Sequence, residues 1–404
     1  MSDKKRKQDG TLSNFIVKKA KTSGKSVDSG ELGNKGDGSA AEGDADFDRA
    51  TRLDEFQALL DFSLVDTEEE IAKRLDVISQ TLLHGFRLVA RHQESAKEVE
   101  FQVMEAEFYL QIDGLHEDPF THGSEEQKFS GRWYFHRAPK FSRDSHRSLT
   151  STTEYRDGSR KGLDITLGAP ALKATSEPST SDVSSSQTRR GGILLRSLRE
   201  VDNKVITSGP SLLVDRLLAA CGMTGIKEMV ETKWKADISC FRIPEPTSQG
   251  PYLYLKPVPR KPSAIYFSPR IGLELSHPGT TSVNKLPLHP RIQFLSKRYR
   301  FFTNPDLLVA KGRPQSFLGI LHSCISSHPD RDFALRKASL AKEIPRLMAL
   351  KEQTAAKYLA DYLEGRDAGK ELVDSFIGTK GKGASGSPAI YLKMMGALSN
   401  LETK

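Results

Sequence analysis

From residue 47 onward, apolar positions fall into regular patterns. Leu53, Phe56, Leu59 and Leu60 recur at helical spacing and predict a short amphipathic helix. Thr67, followed three residues later by Glu70, forms a capping box, and Ile71, Leu75, Ile78, Leu82 and Leu83 extend it into a helix ending near Gly85. The period then switches to two. Phe86 to Arg91 reads as a strand and His92 to Lys97 as a polar turn, with a second strand from Val99. In that strand Glu105, Glu107 and Tyr109 continue the apolar side begun by Val99, Phe101 and Val103. A carboxylate facing a core is costly unless it is paired or used.

Further on, residues 130 to 137 (SGRWYFHR) form a dense aromatic strand and 162 to 168 (GLDITLG) another. Residues 191 to 200 (GGILLRSLRE) read as a buried strand. A helix is predicted over 209 to 222, with Pro210 at its start and Gly222 as its stop. Residues 265 to 275 and 297 to 303 read as closing strands. From about residue 330, Leu335, Leu340, Ile344, Leu347 and Leu350, then Tyr358, Leu359, Tyr362 and Leu363, are helical by periodicity, with a Gly/Lys-rich break at 378 to 386. Strands mixed with helices in this order give an α+β domain.

Residues 1 to 46 are poor in core formers and read as a disordered basic tail, because they cannot bury enough apolar surface to offset ordering entropy. Residues 169 to 190, rich in Ser and Thr, read as a disordered insertion. The organisation is therefore a tail (1–46), a domain (47–328) and a helical C-terminal extension (329–404). The 404 residues carry a net charge of +8, which suits a polyanion partner. Three scattered cysteines argue against a disulfide framework and against a structural zinc site. No apolar run reaches the length of a membrane span, so the chain reads as soluble and intracellular, without a membrane partner. Lys4, Lys5, Arg6 and Lys7 resemble a nuclear-import cluster. Between them and a second basic group, Leu12, Phe15 and Ile16 resemble the peptide that plugs into the replication sliding clamp, with Gln8 one residue further upstream than usual and Ile16 in place of an aromatic.

The candidate chemistry lies at the end of the second strand. A carboxylate (Glu107), a phenol (Tyr109) and, after a polar turn, Asp118 and His122 make a plausible site. Several pieces in the same order resemble the alkyladenine (3-methyladenine) DNA glycosylase family: EAEFYL (105–110), EDPFTH (117–122), GRWYFH (131–136), LDIT (163–166), ILLR (193–196), GPSLL (209–213), RIGL (270–273) and RYRFFTNP (298–305). The resemblance covers about residues 75 to 305. It implies a compact mixed domain with a curved antiparallel sheet, acting as a monomer on double-stranded DNA. It further implies a monofunctional enzyme that flips out an altered purine and hydrolyses its N-glycosidic bond in base excision repair, with no metal and no cofactor. Glu107 would be the general base for the attacking water and Arg196 would help position it. Tyr109, His122, His136 and Asp164 would line the base pocket, stacking being worth about 1–3 kcal/mol per base.

Two positions depart from the family. Asp164 stands where the family has an asparagine that screens purines, and His136 where it has a tyrosine. If Asp164 and Glu107 lay close together, one carboxyl would be raised. Arg260, Lys261, Arg298 and Arg300 are candidate phosphate contacts. Two other readings stay open. One is a non-catalytic nuclear DNA-binding protein on this scaffold, with Glu107 and Arg196 as a structural ion pair. The other is a cytosolic hydrolase of other N-glycosides.

Overall fold

The computed structural model describes residues 40–139, 151–170, 187–308, 311–327 and 333–401. Residues 1–39 of the basic tail, with its clamp-like peptide, and most of the Ser-rich insertion lie outside the described residues, whereas residues 40–46, expected to be disordered, begin the first helix. From Phe47 onward the chain forms one compact unit.

Two helices open it, α1 (Ala40–Leu59) and α2 (Glu68–Gly85). The Thr67 hydroxyl caps α2 by accepting from Glu70 N at 3.2 Å. Strands β1 (Phe86–Arg91), β2 (Glu98–Ile112) and β3 (His116–Glu117) follow, then β4 (Trp133–Phe135), β5 (Arg137–Pro139), β6 (Ser151–Tyr155) and β7 (Leu163–Leu167). Next come β8 (Arg189–Glu200), β9 (Ile206–Ser208) and α3 (Pro210–Cys221), which Gly222 ends in the left-handed conformation at φ 72°. The chain continues through β10 (Tyr252–Pro257), β11 (Tyr266–Ser268), α4 (Pro290–Leu295) and β12 (Arg300–Phe302). Four helices close it: α5 (Arg313–Ser326), α6 (Phe333–Met348), α7 (Glu352–Asp367) and α8 (Pro388–Leu398).

The main sheet is antiparallel, in the order β10-β1-β2-β8-β7-β4. β2 is its axis. One edge carries β8 along nearly its whole length, and the other carries β1, β12 and β3 in succession. Pro269 follows β11 directly, so the strand expected over 265–275 stops at Ser268 and Arg270 turns inward.

The register of β2 corrects the sequence expectation. At Met104 and Glu105, opposite Arg196 and Ser197, the β2–β8 ladder is irregular. Before this point Phe101 and Val103, with Leu198, belong to the main core; beyond it Ala106, Phe108, Leu110 and Ile112, with Ile193 and Leu195, belong to it. An irregularity in a ladder re-aims the side chains that follow. Glu105, Glu107 and Tyr109 therefore do not continue the apolar side; they project from the opposite face.

That opposite face is covered by the C-terminal helices. A second core joins Leu275, Ile292, Leu295 and Phe302 to Phe317, Ile320, Leu340, Ile344, Leu359, Tyr391 and Leu392. Helices α7 and α8 approach closely through a reciprocal glycine pair. A Cβ on Gly365 would lie within van der Waals overlap of Lys393 O, and one on Gly396 would do the same with Tyr362 O.

Candidate functional site

Glu107 is fully buried and three donors hold its carboxylate. Oε2 accepts from the Tyr109 hydroxyl at 2.9 Å and from Arg196 Nη1 at 3.1 Å; Oε1 accepts from the Ile271 amide at 2.7 Å. Glu105 lies one step away on the same face. It accepts from Arg196 Nε at 3.1 Å, Arg300 Nε at 2.7 Å and Ser197 Oγ at 2.5 Å. Burial pushes the Glu105 carboxyl up, but Arg300, Arg196 and the Ser197 hydroxyl outweigh it and hold the group below its ordinary value. Burial and the adjacent Glu107 push the Tyr109 phenol well up, so it stays protonated and donates.

Arg270 completes this half. Its guanidinium forks onto Asp118, with Nη1 to Oδ2 at 2.5 Å and Nη2 to Oδ1 at 3.1 Å, and stands 4.5 Å from the Tyr109 ring centroid. The turn that buries Arg270 also aims the Ile271 amide at Glu107. Three carboxylates (Glu105, Glu107, Asp118) thus meet three guanidiniums (Arg196, Arg270, Arg300) in a buried, charge-balanced network.

The C-terminal helices reach the same network. Arg300 Nη2 donates to Ser316 Oγ of α5 at 3.0 Å, and Tyr391 of α8 lies near enough to Arg300 and Glu107 to feel both charges. Arg300 is 1% exposed and engaged with Glu105, Ser268 and Ser316, so it is a buttress and not a phosphate contact. Arg260, Lys261 and Arg298 are exposed.

A second cluster forms on β7, at His136 in the link between β4 and β5, and on the loop after β3. His136 Nε2 lies 2.8 Å from Asp164 Oδ1, and Gln127 Nε2 donates to Asp164 Oδ2 at 3.3 Å. The His122 ring meets His136 edge-on, with centroids 4.4 Å apart. Burial, with His136 and Arg156 nearby, keeps the His122 imidazole well below its usual value, hence neutral. Burial and the Asp164 charge push the Tyr134 phenol up to about 12. Glycines make the room: a Cβ on Gly162 would stand 2.5 Å from the His136 ring, and one on Gly192 would stand 2.6 Å from Asp164 Oδ2.

The sheet relates the two clusters. Tyr134, Asp164, Leu194 and Glu107 are successive cross-strand partners and share one face. Gly192 sits between Thr166 and Tyr109 in the next row. Asp164 and Glu107 are consequently two strands apart, roughly 9–10 Å by strand spacing. No carboxylate pair forms, because the strand carrying Leu194 separates them. Of the six residues singled out in the sequence, Glu107, Tyr109 and Arg196 come together, as do His122, His136 and Asp164, on one face of the sheet.

Sequence reasoning missed the supporting parts: Gln127, the Ile271 amide, Arg300 as a buttress, Ser316 and Tyr391. Arg270 sits inside RIGL, but nothing local shows it paired with Asp118 across 152 positions.

No family model matches the sequence. The chain is similar to an uncharacterized protein of Acanthamoeba polyphaga mimivirus, with 29% identity over 197 residues, which is 48% of this chain and 76% of the viral protein.

Proposed function

We propose that the protein is a monofunctional DNA glycosylase that hydrolyses the N-glycosidic bond of a flipped-out altered purine. The observation that carries this reading is the fixed array of Glu107, Arg196 and the Ile271 amide beside a partly exposed Tyr109. Among the described residues Glu107 Oε1 accepts one hydrogen bond, from the Ile271 amide, and its second lone pair is the acceptor position for a water. A base stacked on Tyr109 brings its sugar toward that position. There the carboxylate takes the proton of the attacking water and its charge stabilises the cationic sugar. His122 and His136 supply further flat rings across the Gly192 row, and Asp164 supplies an acceptor where a base edge is read. Arg260, Lys261 and Arg298 are the candidate phosphate contacts on the surface. The lysine-rich tail fits nuclear import, and Leu12, Phe15 and Ile16 fit sliding-clamp binding; mutating Leu12 and Phe15 should abolish capture by the clamp.

The enzyme reading is tested with duplexes carrying hypoxanthine, ethenoadenine or 3-methyladenine. Base release by the purified chain, lost in Glu107→Gln, supports it. A second reading, a non-catalytic DNA-binding protein, draws on the full burial and charge balance of the Glu107 network, which suit a structural ion pair. Salt-dependent duplex binding without release from any of the three lesions would select it.

A further inference from the structure

We propose that His122, His136 and Asp164 form a binding site for one first-row divalent transition cation. This does not depend on the glycosylase reading, and it departs from the expectation that the chain uses no metal. The three side chains offer two imidazole nitrogens and one carboxylate oxygen, all within 4.8 Å of one another. Ligand atoms about 2.1 Å from one cation stand roughly 3.0–3.4 Å apart. His136 Nε2 and Asp164 Oδ1, at 2.8 Å, are already close to that spacing. His122 completes the set by closing no more than about 1.5 Å. It sits on a loop and is only half-buried, so it is the member able to move.

The surroundings are those of a built site. Gln127 engages Asp164 Oδ2, which orients the carboxylate and leaves Oδ1 for the cation. The other end of that amide, Gln127 Oε1, is buried with no partner among the described residues, and it would accept from a water carried by the cation. Gly162 and Gly192 let the ring and the carboxylate pack against bare backbone, which fixes both. Two imidazoles and one carboxylate favour zinc or ferrous iron over calcium and magnesium, which take oxygen ligands. Three protein ligands leave at least one position open. Arg156 stands close enough to act on both His122 and Asp164, and its charge weakens the affinity below that of a closed structural site.

The test uses the full chain without a histidine tag, stripped with chelator and titrated with Zn²⁺ by calorimetry and with Co²⁺ by visible absorption. One equivalent of Zn²⁺ and a Co²⁺ ligand-field spectrum are expected. Both should disappear in His122→Ala and in Asp164→Asn, while Gln127→Leu weakens binding by about 10–100-fold. His122→Ala serves as the control for folding, because its ring is partly exposed, and its thermal melt should match that of the stripped parent. Absence of saturable binding, or binding unchanged in both ligand variants, would overturn the site and leave His136 and Asp164 as a hydrogen-bonded pair. A cation held there takes His122, His136 and Asp164 out of the base pocket, but base release is scored on Glu107→Gln, which is not a ligand, so failure of one reading is distinguishable from failure of the other.

Discussion

Arg196 ties Glu107 to its neighbour Glu105: Nη1 donates to one carboxylate and Nε to the other, each at 3.1 Å. Removing the guanidinium leaves two buried acids facing each other with one fewer counter-charge. Arg196→Met should therefore destabilise the protein by about 3–5 kcal/mol. Arg196→Lys should recover only part of this, since its one nitrogen, on a flexible stem, cannot stand where Nε and Nη1 both stand in the rigid guanidinium. Urea unfolding at neutral pH measures both. A loss below about 1 kcal/mol, the value of an exposed pair, would contradict the buried network.

The pH dependence of stability follows from Glu105. Burial pushes its carboxyl up, while Arg300, Arg196 and Ser197 pull it further down, so its folded value lies below its ordinary 4.5. The unfolded state takes up the proton first as pH falls. The stabilisation is thus complete above about pH 4.5 and is lost as pH drops toward the folded value. Unfolding free energies measured from pH 7 to pH 3 should decline at the acid end. Glu105→Gln should be less stable at pH 7 and show a shallower acid decline; an unchanged slope would remove Glu105 as its source.

Much of the fold is written locally. Helix α2 follows from its apolar period and its Thr67 cap, and α3 from Pro210 and Gly222, because caps and periods are short-range signals. The pairing of Glu107 with Tyr109 is also local, two residues apart on one strand. The face they occupy is not. It depends on a ladder irregularity opposite Arg196 and Ser197, nearly a hundred positions away, and alternation alone extrapolates through it. The same distance hides the buttress: Arg300 meets Glu105 across 195 positions and Ser316 comes from a helix with no evident chemistry. In the sequence Arg300 is a basic residue among aromatics, which reads as a surface contact until its burial is seen. His122, His136 and Asp164 lie in three segments with no ligand spacing, so only the sheet brings them together.

The glycine pair between α7 and α8 should be intolerant of any side chain. A methyl on Gly365 meets Lys393 O, and one on Gly396 meets Tyr362 O; in both cases the obstacle is backbone that cannot rotate away. Each alanine variant should force the helices apart and cost about 1–3 kcal/mol. Gly386, whose Cβ would enter open space, serves as the control. Thermal melts of the three alanine variants should fall for Gly365 and Gly396 and hold for Gly386. Equal melting temperatures would mean that α7 and α8 are not so closely packed.

The last prediction concerns what α6 to α8 do for the acid network. They cover the face from which Glu105, Glu107 and Arg300 project, and Tyr391, Leu392, Met394 and Leu398 of α8 are buried in the core they share with Phe302 and Phe317. A chain ending at Ser327 keeps Ser316 but uncovers that apolar surface, including Phe317, Ile320 and Leu321 on α5. Exposed apolar area of that kind drives association. It also admits water to Arg300 and the two carboxylates, which weakens their mutual attraction. The truncated chain should therefore aggregate on size-exclusion chromatography and lose a cooperative thermal transition. If it stays monomeric and melts like the full chain, the helices are an appendage and the network does not need them.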